Sequence, residues 1–305
     1  MLRPENGRHV LRIACRMSFR IHVLPPSPAL AGDVMGYVVR RRTREGTPPQ
    51  EPFSAHFPAN MYAALTIVHR GRLVDPAGVA TAPVSFSGAM TRDVQRDYHG
   101  LPETTVVLFK PGRLTDLLRV PAADLTDRWV ADGDLLNLAE QAEIDDHMAS
   151  QPTLARQIHV LEMLLERRLR RSGDSRAATL PQMVQRMVWR LPHMTVSELA
   201  QHAGVGGRQL HRHFVSTFGV SPKGLIRLAR LQLSLLHVQA NAKRSSATLA
   251  SVAHDAGFAD QAHMAKDFKA LLGQTPAVLR QRMQQSRPSE WAYELPQDML
   301  HPLDA

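Results

Sequence analysis

The sequence predicts an α+β protein: a β-rich N-terminal segment with trailing helices, followed by a C-terminal segment that is all helix. Between residues 18 and 110, short runs of β-branched and aromatic residues alternate with proline and glycine clusters, the pattern of short strands joined by turns. From 132 to 171 the periodicity becomes helical, and between 195 and 282 one helix-turn-helix spacing is written twice. At 305 residues, 44% of them hydrophobic, the chain has room for two cores.

Taken in order, residues 1–17 read as a candidate disordered extension, with Met1 and Met17 as alternative starts. Strands are expected at 19–24, 34–41, 63–69, 84–88 and 104–109, separated by Pro25-Pro26, Thr47-Pro48-Pro49 and Asp75-Pro76-Ala77-Gly78. Such short strands with frequent turns suggest a small barrel or sandwich. Phe109-Lys110-Pro111-Gly112 marks its exit, after which helical segments begin near Leu114. Leu154, Ile158, Leu161 and Leu165 then recur at helical spacing and end in the basic run 167–171. The β-rich segment with its helices is therefore bounded at 18–171, a linker at 172–180, the duplicated helical unit at 181–287 and an acidic tail with Trp291 and Tyr293 at 288–305.

The duplication is the most specific signal. From Ala200, Gly204 follows at four, Leu210 and Phe214 make an i, i+4 pair, and Gly219 and Pro222 close the unit. From Ala253 the same order runs through Gly257, Met264, Phe268, Gly273 and Pro276. The offset is 53 residues up to the first glycine and 54 after it, so the copies differ by one residue in the turn. Each residue type has a mechanical reason. A small side chain lets two helices cross closely, and glycine lets the chain reverse at positive φ. The apolar pair fixes which face of the second helix points inward. Thr195 and Glu198 have capping-box spacing and set the start of the first scaffold helix.

The free faces follow from helical phase. With Leu210 inward, steps of about 100° per residue put Arg208 and Arg212 outward, with Gln209 and His211 on the flanks. The same projection from Met264 puts Ala262 and Lys266 outward, flanked by Gln261 and His263. Arginine can bond guanine through two donors at once, whereas an alanine can only touch a thymine methyl. The first copy is therefore expected to read sequence and the second to hold the phosphate backbone. Charge agrees: residues 181–287 carry 14 Lys and Arg against 4 Asp and Glu, while the whole chain is only +9. A basic helical unit attracts nucleic acid.

The runs GVGGRQLHRHFVSTFGVSP and AHDAGFADQAHMAKDFKALLGQTP resemble the DNA-binding domain of AraC/XylS-type transcriptional regulators, over about 195–282. The second copy, with its GF-x-DQ-x-H and F-K-x-x-x-G-x-TP elements, is close to that family's pattern. The resemblance implies two recognition helices held side by side on successive major-groove segments of double-stranded promoter or operator DNA. It also implies a transcription factor, here expected to be an activator that engages RNA polymerase. The residues matching the family's contact positions are Arg208, His211, Arg212, Gln261, His263 and Lys266. Less specifically, the β-rich segment resembles the cupin-like sensor domain such regulators carry, and so implies an unidentified small-molecule effector. Related regulators place a dimerisation helix where the Leu154 stripe stands, which makes a homodimer through Leu154, Ile158, Leu161 and Leu165 one reading. Packing of that helix on its own β segment is the other.

Several classes are disfavoured. One cysteine, Cys15, allows no intramolecular disulfide and no cysteine-rich zinc site. The chain has no run of 18 apolar residues and no signal-peptide core, so a cytoplasmic protein without membrane contact is expected. His22, His56, His69 and His99 are isolated, and His211 and His213, two apart on one helix, point away from each other. No P-loop, G-x-S-x-G elbow or dinucleotide fingerprint is present. The expectation is a protein with no catalytic residues, metal or cofactor, in which the β segment binds a ligand without chemistry. Two rivals remain: a constitutive DNA-binding protein whose N-terminal segment only assembles, and a metal-dependent cupin enzyme fused to a DNA anchor.

Overall fold

The computed structural model describes residues 11–13, 19–42, 53–131, 153–171, 180–241 and 248–284. Most of the expected extension, linker residues 172–179, the acidic tail and part of the helical stretch after 132 lie outside these residues; the extension is corrected at 11–13, which form a strand paired with 21–23, and the linker at Leu180, which begins a helix. The architecture is α+β: an antiparallel sheet first, helices after it.

The strands are β1 (Leu11–Ile13), β2 (Phe19–Leu24), β3 (Val34–Arg42), β4 (Phe53–Phe57), β5 (Ala63–Val74), β6 (Val84–Ser87), β7 (Val94–Phe109) and β8 (Trp129–Ala131). They form one sheet in the order β1-β2-β3-β7-β5-β6-β8, with β4 paired to the first half of β7. The expected strands are present, but β5 and β7 run much further than their apolar stretches. Register shifts near Arg70 let the long pair bend while the pairing continues from Ala63↔Phe109 to Val74↔Asp97. The turn expected at Asp75 is held by its carboxylate, which accepts from the amides of Ala77 and Val79 at 2.9 and 2.8 Å.

Both faces of the sheet are covered, which is why β7 ends in a continuous apolar run rather than an alternation. On β7, Val107 and Phe109 point to one core and Val106 and Leu108 to another. The first core is closed by α1 (Arg113–Leu118) and α2 (Leu154–Arg171), and the second continues into the C-terminal helices.

Helix α2 decides the role of the leucine stripe. Ile158, Leu161 and Leu165 are buried in the first core with Tyr37, Leu65 and Phe109, and Leu154 packs at its edge. The buried carboxylate of Glu162 accepts from the Ser27 amide at 2.6 Å and the Tyr37 hydroxyl at 3.3 Å. Arg168 Nε donates to the Leu117 carbonyl at 3.1 Å. The stripe is thus spent within the chain: of the two readings of Leu154, Ile158, Leu161 and Leu165, a homodimer seam or packing on its own β segment, the burial matches the second, since periodicity marks a buried face but not what buries it.

The C-terminal helices are α3 (Leu180–Arg186), α4 (Val196–Ala203), α5 (Gly207–Phe218), α6 (Pro222–Asn241), α7 (Leu249–Asp255), α8 (Gln261–Leu272) and α9 (Pro276–Gln284). A 3-10 turn at Leu191–His193 lies between α3 and α4. The pairs α4–α5 and α7–α8 are the two copies of the repeat, and α6 joins them. The extra residue of the second copy lies in its turn: the N-cap of α5 is Gly206, two after Gly204, whereas that of α8 is Asp260, three after Gly257.

Candidate nucleic-acid interface

The local structure of both units follows from the residues that predicted it. Thr195 caps α4: its hydroxyl accepts from the Glu198 amide at 3.2 Å, and Glu198 Oε2 accepts from the Thr195 amide at 2.7 Å. These hydrogen bonds hold the Glu198 carboxyl below the usual range, the bond from the Thr195 backbone being the largest cause. Two caps add to the pattern: Thr248 accepts from the Ser251 amide at 3.1 Å, and Asp260 from the His263 amide at 2.7 Å. Gly204 and Gly257 turn at φ of 64° and 77°. Leu210, Phe214, Met264, Phe268 and Ala253 are fully enclosed, and Ala200 packs at the edge of the same core.

The faces opposite are free. On α5, Arg208, Gln209, His211 and Arg212 are all exposed. On α8, Gln261, Ala262 and Lys266 are exposed, while His263 is half-buried, edge-on to Phe258 at 5.4 Å and 3.9 Å from Asp267. Among the described residues, Arg208, Arg212 and Lys266 make no hydrogen bond or ion pair, so their donors are available to a ligand.

Connecting helix α6 fastens the two units. Arg227 Nε donates to Asp267 Oδ1 on α8 at 2.9 Å, and Arg230 Nε donates to the Pro192 carbonyl at 2.6 Å. Ser234, in the middle of α6, is buried and returns its hydroxyl to the carbonyls of Arg230 and Leu231. Sequence reasoning passed over Arg227 and Asp267 because neither belongs to the repeated apolar frame. An acidic residue on a helix proposed for DNA is the signal that could have found them.

A second feature lies between the sheet and the helices. A cavity of about 230 Å³ is lined by Met35, Met61 and Tyr62 on the sheet side and by Trp189, Leu233 and Leu236 on the helical side. Its size exceeds the ~150 Å³ of an engineered apolar cavity that binds benzene. Lys110 is its half-buried cation. Burial holds the Lys110 ammonium below the ordinary lysine range, with Asp33 pulling the other way. Tyr62 also borders a smaller cavity of about 60 Å³ beside Trp129, and burial raises its hydroxyl above the usual tyrosine range. A ligand pocket was expected inside the β segment; most of the wall of this cavity comes from the helices.

Of the isolated histidines, His56 and His69 are individually engaged. His56 Nδ1 lies 2.6 Å from Asp93, and His69 Nε2 is 2.9 Å from the Thr105 hydroxyl. Burial, helped by Arg41, lowers His69 to about 4. Among the described residues, no group of three His, Cys, Asp or Glu is placed to hold a metal, and no helix is long and apolar enough to cross a membrane.

Residues 199–282 match the family model described as a helix-turn-helix domain. No curated protein matches the chain in sequence. Among solved structures, it is similar to an apo variant of ToxT from Vibrio cholerae strain SCE256, at 11% identity over 87% of this chain and 98% of that one, with a TM-score of 0.44. It is also similar to wild-type ToxT of the same strain bound to an unsaturated fatty acid, at 13% identity over 76% and 91% of the two chains and a TM-score of 0.40. The AraC-like transcriptional activator CuxR follows at 14% identity over 76% and 84%, with a TM-score of 0.20. With the repeat, its caps and its two outward faces in place, residues 199–282 of this chain are a helix-turn-helix domain of the AraC/XylS type.

Proposed function

We propose that the protein is a sequence-specific transcription regulator that binds promoter or operator DNA through α5 and α8 and responds to a small-molecule effector. The observation that carries this reading is the pair of uncommitted outward faces on a basic helical unit. Arg208 and Arg212 read guanines in one major-groove segment, with Gln209 and His211 beside them. Lys266 and Gln261 hold the phosphates of the next segment. Ala262 offers no hydrogen bond to a base, and His263 divides its ring between the groove and Phe258. Footprinting of the full-length protein on DNA upstream of its own gene tests this. Protection of two successive major-groove segments on one face of the duplex is expected; protection with no sequence preference would overturn it.

The effector part rests on the cavity between sheet and helices. A largely apolar wall with the half-buried Lys110 ammonium and the Arg186 guanidinium at its edge suits an apolar body carrying an anionic group, such as a fatty acid. ToxT has been solved with an unsaturated fatty acid and with an arylbutenoic acid; for this chain the support is the lining itself. Oleate at about 100 times its Kd should stabilise the full-length protein by roughly 2.7 kcal/mol, and oleyl alcohol by much less. If oleate also alters operator affinity, DNA must alter oleate affinity by the same factor. Oleate binding with no change in operator affinity would leave a constitutive DNA-binding protein. As an activator the protein engages RNA polymerase, and a homodimer would form through a surface other than the buried stripe of α2.

A further inference from the structure

The two copies of the repeat end in equivalent glycines that stand in different surroundings. Gly219 closes α5 at φ 75° and Gly273 closes α8 at φ 69°, so each occupies the left-handed region that favours glycine. Around Gly273 a Cβ would meet nothing within 4 Å. At Gly219 it would overlap the Thr126 hydroxyl and come within 2.8 Å of the Ala122 carbonyl oxygen. The first recognition helix thus ends pressed against the β-rich segment, whereas the glycine that closes the second faces open space among the described residues.

The contact is built from both sides. Thr126 Oγ1 lies 3.1 Å from the Gly219 carbonyl and 3.0 Å from the Ala122 carbonyl, so its one proton is shared between the end of α5 and the 3-10 turn Ala122–Asp124. One residue further in, Phe218 is buried against Phe214 and approaches Gly112, where a Cβ would lie 2.9 Å from its ring. The 3-10 turn is itself fixed. Arg119 and Asp127, both non-glycine residues at positive φ of 56° and 57°, bracket it. The Asp127 carboxylate accepts from the Thr91 amide at 2.6 Å, and the Leu125 carbonyl accepts from Gly88 at 2.8 Å. Left-handed non-glycine residues persist only where their surroundings over-determine them.

We propose that Thr126, acting through the Gly219 cap, is a positioning residue for the first recognition helix, so that the β-rich segment sets how α5 meets DNA and leaves α8 unconstrained. Thr126 is on the segment that carries no DNA-reading residue, and the clamp grips the end of α5 remote from Arg208 and Arg212. It can therefore orient the reading face without covering it. This inference rests on the reading of α5 and α8 as recognition helices.

The test uses the full-length protein and a duplex of about 40 base pairs, roughly four helical turns, selected by the protein from a randomised library. Base substitutions are made in each half of the site, and Arg212→Ala assigns the half that α5 reads. Thr126→Val keeps the shape of the side chain and removes its donor. It is expected to weaken binding about two- to tenfold, the range of one hydrogen bond, and to shrink the penalties of substitutions in the α5 half while leaving those of the α8 half unchanged. Thr126→Ser should restore wild-type values. Gly219→Asn, which tolerates the left-handed conformation but not the space, should behave like Thr126→Val, and Gly273→Asn should behave like wild type. Wild-type penalties in Thr126→Val, or equal shrinkage in both halves, would overturn the proposal. Should Arg212→Ala alter neither half, the recognition reading itself fails, and with it this assignment.

Discussion

Removing the brace between α6 and the second recognition helix has a cost that the geometry sets. In Asp267→Ala, Arg227 Nε loses its acceptor at 2.9 Å. The Asp267 side chain is 12% exposed and that of Arg227 37%, so the carboxylate is nearly enclosed while the guanidinium has water within reach. An exposed pair is worth about 0.2–1 kcal/mol, and breaking a fully buried pair costs about 3–5 kcal/mol because the remaining charge is stranded. Here the stranded group is the half-open arginine, which places the loss between these limits, at about 1–2 kcal/mol. Urea unfolding of the full-length protein at pH 7 reads it, with Arg227→Met and the double variant completing a cycle. A coupling of about 1 kcal/mol is expected, and the double variant should cost less than the two single losses together. A loss below about 0.3 kcal/mol would mean the pair is a surface contact, and one above about 3 kcal/mol that Arg227 cannot turn to solvent; either result refutes the reasoning.

Other perturbations separate the remaining elements. Lys266→Ala should weaken operator and random DNA alike and reduce the salt slope by about one unit, measured by titrations at several salt concentrations. Thr195→Ala removes the capping box of α4 and should cost about 0.5–2 kcal/mol in thermal or urea unfolding. His69 stays neutral in the folded state down to about 4, so between its unfolded value and 4 the unfolded chain binds the extra proton. Stability should therefore rise with pH across that window, by up to about 3 kcal/mol, and His69→Gln should flatten the rise in urea midpoints measured from pH 4 to 7.

The C-terminal unit was legible because its rules are local. Leu210 with Phe214 and Met264 with Phe268 fix the phase of α5 and α8, and the capping box of Thr195 and Glu198 fixes where α4 begins. What was not legible depends on partners distant in sequence. Residues 94–103 of β7 show no apolar alternation, yet they are strand because β4 and β5 supply the ladder. The stripe of α2 signalled burial, but only Tyr37 and Ser27, more than a hundred residues earlier, show that Glu162 ties it to its own sheet. The cavity has no motif at all, since Met35, Met61, Trp189 and Leu233 look like ordinary core residues until the sheet and helices are brought together. Gly219 and Gly273 are indistinguishable as letters and differ only in what stands beside them.

If the outward pair of arginines on α5 reads base sequence, the ratio of specific to non-specific affinity must fall when either is removed. The affinity of the full-length protein for its selected duplex is compared with that for a scrambled duplex of the same length at one salt concentration. Wild type, Arg208→Ala and Arg212→Ala are measured side by side. Each lost bidentate contact should reduce the ratio by about 1–3 kcal/mol, equivalent to roughly five- to 150-fold, with unfolding midpoints unchanged because both side chains are exposed. A wild-type ratio in both variants would contradict the account.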